Sequence, residues 1–256
     1  MAAFPTGFHL GPFFFHLYGC GLALAAYIAF EYALRRFRTR ELDVSPFGRY
    51  VGALLVSGLI GARLANIATN WSYYNGHWGR WVAVWQGGLA SFGGIALALP
   101  LGLWLQRRWW PTVSLLAFAD AFVPALVAGW AIGRVLGPQF MVAGGGHLTH
   151  AWFGMAYHGQ VGKRVPVPLI QALEDGLLWA GLVTLERRPW CRLGTVTGSA
   201  MVVWGLVRAY DEHWLLGQES GAGSVGVQIA GLVLALGGVF VLWRRPVAQP
   251  SAKTVG

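Results

Sequence analysis

Three arginines stand inside long apolar stretches of this chain, where an ionisable side chain is costly. Arg63, Arg134 and Arg208 belong to three different stretches, and a charge at the centre of a bilayer costs about 2.5–3.5 kcal/mol on insertion scales. A guanidinium presents a planar fork of donors that matches phosphate oxygens. The three residues therefore indicate a site for an anionic phosphate, such as a lipid headgroup. The alternative is internal pairing, in which Asp120 and Glu174 each neutralise an arginine and hold helices together.

A glycine-rich run, WQGGLASFGG, covers residues 85–94 and opens another apolar stretch. Its glycines favour close helix packing, and they also permit backbone N–H groups at a helix N-terminus to approach an anion. A second run at 144–146 is interpreted as a loop hinge or a headgroup cradle. The glycines of the first run are Gly87, Gly88, Gly93 and Gly94.

The composition places this chemistry in a membrane. Of the 256 residues, 55% are hydrophobic and 11% are charged, whereas soluble domains carry about 25% charged residues. A helix needs about 20 apolar residues to cross a bilayer, and the runs are continuous rather than alternating as in a membrane barrel. We therefore predict an all-α integral membrane protein, a single membrane domain over 1–256 with seven transmembrane helices. The predicted spans are 12–34, 51–69, 87–106, 114–136, 166–185, 193–210 and 225–243.

The positions of the basic residues predict the orientation. Most of the 19 Lys and Arg residues follow the first, third, fifth and seventh stretches, and the positive-inside rule assigns that side to the cytoplasm. We expect the N-terminus outside and the C-terminus in the cytoplasm. The net charge of +9 is thus a topology signal and does not indicate nucleic acid. The outward segment 137–165, rich in Gly, His and aromatic residues, is expected to form a small cap between helices 4 and 5.

Other classes of membrane protein share some of these features. Intramembrane arginines and helices broken by glycine also occur in transporters for anionic lipids or solutes, but the odd number of spans and the lack of an internal repeat argue against that class. A purely structural scaffold does not need arginines in three separate spans. Cys20 and Cys191 form neither a disulfide framework nor a metal site, and the sequence contains no metal or nucleotide motif.

Six short motifs, in order, give the chain a resemblance to a known family. Each motif is weak alone, but together they cover residues from about 11 to 243 and fall on the predicted spans. In this order and topology the sequence resembles the prolipoprotein diacylglyceryl transferase family of bacteria. The motifs are GPFFFHLYG at 11–19, GARL at 61–64, WQGGLASFGG at 85–94, Asp120 with Pro124 and AIGR at 131–134, PLIQALE at 168–174 and VVWGLVRAYDE at 202–212.

The resemblance implies a multi-pass protein of the inner membrane that moves the diacylglyceryl group of phosphatidylglycerol to the lipobox cysteine of a prolipoprotein peptide. Glycerol phosphate is then released, and no cofactor is needed. Arg134 and Arg208 match the essential arginines that hold or stabilise the phosphate. Other matching positions are implied to orient arginines, share protons or bind substrate: His16, Tyr18, Gln171, Glu174 and Glu212.

The chain departs from the family pattern at several positions. Phe92 stands where the family has His or Tyr, and Trp204 stands where it has Tyr. After Arg134 no carboxylate follows, although Gln139 is a candidate replacement for an asparagine, and His147 and His150 are candidate general bases. Three interpretations follow: an active transferase, a diverged paralogue acting on another lipid or nucleophile, or a lipid-binding relative without this activity.

Overall fold

The computed structural model describes residues 4–11, 13–83, 90–140, 144–214 and 221–244. Within these ranges the chain is mostly helical, with one short hairpin at the start. The strands are β1 (Gly7–Leu10) and β2 (Phe13–His16). The helices are α1 (Leu17–Thr39), α2 (Phe47–Thr69), α3 (Trp71–Tyr74), α4 (Gly79–Val82), α5 (Ser91–Trp109), α6 (Leu115–Leu136), α7 (Val167–Glu186), α8 (Thr195–Trp214) and α9 (Gly221–Trp243).

Four helical segments among the described residues are long and apolar enough to cross a membrane. They are Leu17–Thr39, Phe47–Thr69, Leu115–Phe140 and Val225–Trp243. The protein is therefore a helical membrane protein. Helices α7 and α8 have 20 residues each, which at 1.5 Å per residue is about 30 Å, but they carry the acidic and basic residues described below. The full set of seven spans and their orientation remain predictions.

The N-terminal hairpin differs from the helix predicted to begin at residue 12. Strands β1 and β2 are antiparallel, with Gly7 opposite His16 and Leu10 opposite Phe13. Gly11 has a φ of +60° in the turn, a conformation that glycine adopts without steric cost. The run of phenylalanines that follows has high β propensity. Helix α1 consequently begins at Leu17, and the expectation that His16 lies inside the first span is wrong, because His16 ends β2.

The described backbone divides into two compact units. The first contains the described residues of Met1–Arg36 and Ala119–Gly256, and the second is Phe37–Phe118. In the first unit, α8 and α9 pack through glycines: a Cβ on Gly238 would lie 2.6 Å from the carbonyl oxygen of Gly198, and a Cβ on Gly205 would collide with the carbonyl of Gly231. Small residues permit such close backbone approach in membranes.

The second unit pairs α2 with α5 in the same way. A Cβ on Gly93 would collide with Gly61, and a Cβ on Gly94 would lie 3.0 Å from the carbonyl oxygen of Gly58. Next to this pair, an aromatic cluster closes the unit, with ring centroids 4.7 to 6.1 Å apart for Phe37 and its neighbours. These neighbours are Phe47, Trp110 and Phe118.

Asp120, for which pairing with a buried arginine was one of two alternatives, caps the N-terminus of α8. Its Oδ2 accepts from the Gly194 N–H at 2.6 Å, and its Oδ1 accepts from the Thr197 N–H at 2.8 Å and from the Thr197 hydroxyl. A carboxylate at a helix N-terminus satisfies unpaired N–H groups and opposes the positive end of the dipole. The pairing alternative for Asp120 is therefore wrong.

Arg36 joins the same end of this unit from α1. Its Nη2 contacts Glu186 Oε2 at 2.9 Å and donates to the Asp120 carbonyl oxygen at 3.0 Å, while its Nε donates to the Ala121 carbonyl oxygen at 2.8 Å. The end of α1, the start of α6, the end of α7 and the start of α8 thus meet in one polar network.

In the outer segment, Pro138–Phe140 forms a short 3₁₀ helix, and the described residues 144–165 contain short stretches of paired backbone. Leu148 and Met155 both form antiparallel bridges with Arg164, and the Thr149 N–H donates to the Lys163 carbonyl oxygen at 2.9 Å. Tyr157 is buried beneath them, and this burial raises the pKa of its hydroxyl to about 12. Gln160 ties the segment together by accepting from the Gly145 N–H at 2.9 Å. These contacts fold the described part of the segment, and its position as an outer cap stays a prediction.

Candidate active site

The candidate site lies in the first unit, at the end opposite the Asp120 network. Arg134 is close to the C-terminal end of α6, Trp204 is at the middle of α8, and Arg208 lies about one turn after Trp204. Gln171 and Glu174 lie in the first two turns of α7. Because Arg134 follows Asp120 by 14 positions on one helix, the two ends are about 21 Å apart.

Tryptophan rings position Arg134. The guanidinium carbon lies 5.3 Å from the centroid of the Trp130 ring, and the Trp130 ring meets that of Trp204 edge-on, with centroids 5.6 Å apart. A guanidinium above an indole face is attracted by the ring quadrupole. The half-buried Arg134 side chain is therefore supported by α6 itself and, through Trp204, by α8.

Arg208 sits in a buried polar layer between α7 and α8. Its Nη1 is 3.5 Å from Oδ2 of Asp211, and the same oxygen accepts from Gln171 Nε2 at 3.0 Å. Asp211 is fully buried, whereas 18% of the Arg208 side chain is exposed. Part of the Arg208 side chain therefore stays exposed, while the Gln171 amide holds the Asp211 carboxylate that neutralises it.

Asp175 and Trp204 make the second contact between these helices. The Trp204 Nε1–H donates to Asp175 Oδ1 at 2.9 Å. Several acceptor oxygens in this layer have no donor among the described residues: Gln171 Oε1, Glu174 Oε2, Asp175 Oδ2 and Asp211 Oδ1.

The charges of these side chains act on one another. Arg134 and Arg208 are close enough to repel each other, and Asp175 and Asp211 attract both. Glu174 also interacts with Arg208 and with both aspartates. The arrangement collects two guanidinium groups and three carboxyl groups at one end of the unit, which suits the binding of an anion that competes with the acids for the arginines.

An apolar groove of about 470 Å³ leads away from this cluster between α7 and α8. Glu174 is at one end, and the groove continues past Leu178 and Leu182 to Leu185. From Glu174 to Leu185 the helix rises about 16 Å. Its remaining lining is aliphatic or small: Leu177, Gly181, Ser199, Val203 and Val207.

Other residues expected at the site fall near it. Tyr18, in the first turn of α1, lies within electrostatic range of Arg134, and its ring is 3.4 Å from the place of a Cβ on Gly137. His16 is exposed at the end of β2. Glu212 is buried, although it is the neighbouring Asp211 that meets Arg208. Gln139 Nε2 donates to the carbonyl oxygens of Arg134 and Val135 at 2.7 and 2.5 Å, so it closes the end of α6.

Arg63 belongs to the second unit and binds protein carbonyls there. Its guanidinium donates to the carbonyl oxygens of Trp81 at 3.0 Å, of Ala83 at 3.2 Å and of Arg80, and it lies 5.1 Å from the Tyr74 ring centroid. The buried Arg63 side chain therefore stabilises the segment 80–83. Contact of this group with a headgroup stays a prediction.

The remaining predicted residues are divided between described and undescribed parts of the chain. The N–H groups of Gly93 and Gly94 both donate to the Ala90 carbonyl oxygen, at 3.0 and 3.4 Å, which agrees with helix packing rather than an anion cradle. Gly87 and Gly88 lie outside the described residues. In the outer segment, His147 is half-buried and His150 is exposed.

Asp211 is the site residue that sequence reasoning missed. The motif match directed attention to Glu212, but three-residue spacing from Arg208 places Asp211 on the same face of the helix. The spacing could therefore have predicted that Asp211 lies near Arg208. The contact between Asp175 and Trp204 could not be predicted from spacing, because the two residues are on different helices.

Comparison with known proteins gives the family of this chain. Residues 5–244 match the family described as prolipoprotein diacylglyceryl transferase. The phosphatidylglycerol–prolipoprotein diacylglyceryl transferase of Lactiplantibacillus plantarum is 28% identical over 94% of this chain and 89% of its own length, and that of Lactobacillus johnsonii is 24% identical over 98% and 94%. The match to the Cutibacterium acnes transferase, 31% identical, covers 50% of this chain and spans less than half of that relative, 44% of its length. The chain belongs to the prolipoprotein diacylglyceryl transferase family.

Proposed function

We propose that this protein transfers the diacylglyceryl group of phosphatidylglycerol to the lipobox cysteine of a prolipoprotein in the bacterial inner membrane. The observation that carries the proposal is the meeting of Arg134 and Arg208 at one end of a helical membrane unit, in a chain of this family. The two guanidinium groups are suited to one phosphodiester, because a planar fork of donors matches phosphate oxygens.

In the proposed reaction the cysteine sulfur attacks the glyceryl carbon that carries the phosphate. A carbon–sulfur bond forms, the carbon–oxygen bond to the phosphate breaks, and its electron pair leaves on the phosphate oxygen of glycerol phosphate. Arg134 and Arg208 stabilise that developing negative charge. The thiol proton is lost in the same process, and nearby cations favour the thiolate. His147 and His150 stay candidates for the proton acceptor.

The apolar groove between α7 and α8 suits an acyl chain of the same lipid. It begins at Glu174, which interacts with Arg208, and its other lining is aliphatic or small. In this arrangement the phospholipid headgroup contacts Arg134 and Arg208, and one acyl chain lies along Leu178 and Leu182. The groove therefore supports a lipid substrate rather than a soluble phosphate.

The proposal also includes the topology of the chain in the membrane. We infer seven spans, with the arginine end of the first unit at the outer face and the network of Arg36, Asp120 and Glu186 at the cytoplasmic face. This orientation follows the distribution of basic residues. It places the site where a translocated precursor peptide arrives, next to the outer segment 137–165.

Further residues are assigned by the same proposal. Asp211, held by Gln171, is the counter-charge of Arg208 that the phosphate competes with, and Tyr18 faces the phosphate beside Arg134. Glu174 and Glu212 orient the arginines. The other candidates carried by this proposal are His16, Arg63, Gly87, Gly88, Gly93, Gly94 and Gln139.

The test is a transfer assay with purified protein in micelles that contain phosphatidylglycerol and a peptide with a lipobox cysteine. Mass spectrometry measures the added diacylglyceryl group and the released glycerol phosphate. Arg134→Ala and Arg208→Ala are expected to lose transfer by at least 100-fold while inserting normally. Arg188→Ala, an exposed arginine after α7, is the matched control and is expected to keep full activity.

The other possible results of the transfer assay distinguish the alternative functions. Full transfer by both site variants contradicts the phosphate-clamp assignment. No transfer by the parent protein, with an active family member alongside, contradicts the transferase and favours a diverged or lipid-binding relative. Flux of an anionic lipid or solute without transfer indicates a transporter.

A further inference from the structure

Large apolar side chains are exposed at the tip of the outer segment. Trp152 is 90% exposed and Val161 is 86% exposed, and Leu148 and Phe153 are 57% and 43% exposed. Exposed apolar residues on the transmembrane helices face lipid, but this segment lies outside the predicted spans. We call Leu148, Trp152, Phe153, Val161 and Lys163 the head tip.

Backbone pairing holds these residues on neighbouring turns. Leu148 is bridged to Arg164, and a Cβ on Gly162 would lie 2.7 Å from Leu148 Cδ2. On the other side of the bridge, a Cβ on Gly154 would lie 3.1 Å from the Lys163 Cβ. The turn that carries Trp152 and Phe153 therefore lies beside the turn that carries Val161 and Lys163.

The charged side chains of segment 137–165 are all basic. Segment 137–165 contains Lys163, Arg164 and three histidines, and no Asp or Glu. Aromatic and aliphatic side chains next to a cation are typical of protein surfaces that enter the headgroup region of anionic membranes. An anionic lipid surface complements this charge, whereas a basic partner does not.

The chain also keeps the head tip close to the predicted membrane surface. Helix α7 begins at Val167, six residues after Val161. Six extended residues reach at most about 20 Å, and the pairing of Arg164 with Leu148 and Met155 shortens that distance further. The headgroup region of one leaflet is about 5–8 Å deep. The chain length therefore keeps Val161 within about 20 Å of the first turn of α7.

We propose that the head tip inserts into the headgroup region of the outer leaflet and selects anionic lipid there. Trp152, Phe153, Leu148 and Val161 supply apolar area, and Lys163 contacts lipid phosphates. This inference rests on the proposed function for the outward position of the segment. Its consequence is a cap that is held against the membrane beside the Arg134–Arg208 cluster and concentrates phosphatidylglycerol at the site.

The direct test places a polarity-sensitive dye on the head tip. Trp152→Cys is made in a Cys20→Ser, Cys191→Ala background, labelled, and reconstituted in vesicles of phosphatidylcholine with or without 30% phosphatidylglycerol or phosphatidylserine. In both anionic mixtures we expect a blue-shifted emission and at least threefold protection from the neutral aqueous quencher acrylamide. Equal acrylamide access in anionic vesicles and in phosphatidylcholine overturns the proposal, as does protection that appears only after the lipobox peptide is added.

A functional test uses Trp152→Ser with Val161→Ser, because both side chains are exposed and their replacement leaves the fold intact. In vesicles the KM for phosphatidylglycerol is expected to rise at least fivefold while kcat is unchanged. Trp190→Ser, an exposed tryptophan in the loop between α7 and α8, is the matched control and should leave KM as it was. An unchanged KM in the double variant contradicts the proposal.

The two proposals fail in distinguishable ways. The dye experiment needs no transfer activity, so dye protection without transfer retains the membrane contact and rejects the transferase. Transfer without dye protection retains the enzyme and rejects the head-tip insertion. Protection by phosphatidylserine as well as phosphatidylglycerol separates contact with the lipid surface from binding of the substrate at the arginines.

Discussion

The indole N–H of Trp204 donates to Oδ1 of Asp175 over 2.9 Å, joining α8 to α7 one turn from the Arg208–Asp211 ion pair. The Trp204 ring also makes an edge-on contact with the Trp130 ring, which supports Arg134. One tryptophan therefore contacts both the ring that supports Arg134 and a carboxylate of the polar layer that contains Arg208.

Trp204→Phe is expected to leave Asp175 without its donor. A buried acceptor that loses its partner costs about 1–3 kcal/mol, so we expect a lower thermal midpoint in detergent and reduced transfer. Adding Asp175→Leu to Trp204→Phe should recover part of the stability, because removing both partners is less costly than removing one. If the double variant is less stable than Trp204→Phe alone, the hydrogen bond is not the cause.

Asp211→Asn tests competition for Arg208. In the structure the Asp211 carboxylate neutralises Arg208 from 3.5 Å, and a phosphate at the proposed site must share that guanidinium. Replacing the carboxylate with an amide of the same shape should lower the KM for phosphatidylglycerol by roughly threefold to tenfold, since about 1 kcal/mol of competing attraction is removed. Transfer rates across a lipid concentration series measure this change.

The control for that experiment is Glu41→Gln, an exposed acid between α1 and α2. It removes the same charge from the chain without touching the first unit's polar layer, and it should leave the KM unchanged. An equal fall in KM for both variants would indicate a general effect of net charge. An increase for Asp211→Asn alone would mean that the carboxylate positions Arg208 rather than competing with the lipid.

The helical membrane class and the approximate positions of the long helices could be predicted from the sequence. Apolar runs mark α2, α6 and α7 to within a few residues, because burial in lipid and length act on contiguous positions. The hairpin of β1 and β2 could not be separated from the span that follows, since phenylalanines fit a strand and an apolar helix equally well.

The sequence named residues of the proposed site but not the contacts between its helices. Arg134, Arg208 and Gln171 come from three motifs on α6, α8 and α7, and their spacing along the chain does not show that they approach one another. The cap that Asp120 forms on α8 joins residues more than 70 positions apart. No local spacing encodes such a contact, because it depends on how α6 packs against the start of α8.

Asp120→Ala is expected to destabilise the start of α8 without changing the chemistry. The variant leaves the N–H groups of Gly194 and Thr197 without their carboxylate, and loss of a cap costs about 0.5–2 kcal/mol. We expect a lower unfolding midpoint and faster hydrogen exchange at 194–197, with the KM for phosphatidylglycerol unchanged. Asp120→Asn, which keeps one carbonyl acceptor, should lie between the parent and Asp120→Ala.

A change in KM with an unchanged midpoint would contradict this structural role. It would place Asp120 in substrate binding, although its two carboxylate oxygens are already occupied by α8. Ser45→Ala offers a matched comparison for the loss of a local polar contact, because it removes a hydroxyl that donates to Asp43 in an exposed loop. We expect little effect from that change.

Arg63→Lys separates a structural arginine from a phosphate-binding one in the second unit. A lysine keeps the charge but cannot offer the fork that reaches the carbonyl oxygens of Trp81, Ala83 and Arg80 together. We expect amide hydrogen exchange at 80–83 to rise at least tenfold in both Arg63→Lys and Arg63→Ala, with no difference between them beyond a factor of about two. A lysine that restores protection and transfer, where alanine does not, would show that charge rather than geometry matters at this position and would favour contact with a headgroup. Arg80→Ala, which removes an exposed guanidinium bound to the Tyr73 carbonyl, is the control, and it should leave the exchange of residues 81–83 within twofold of the parent because the Arg63 contacts use the Arg80 backbone and not its side chain.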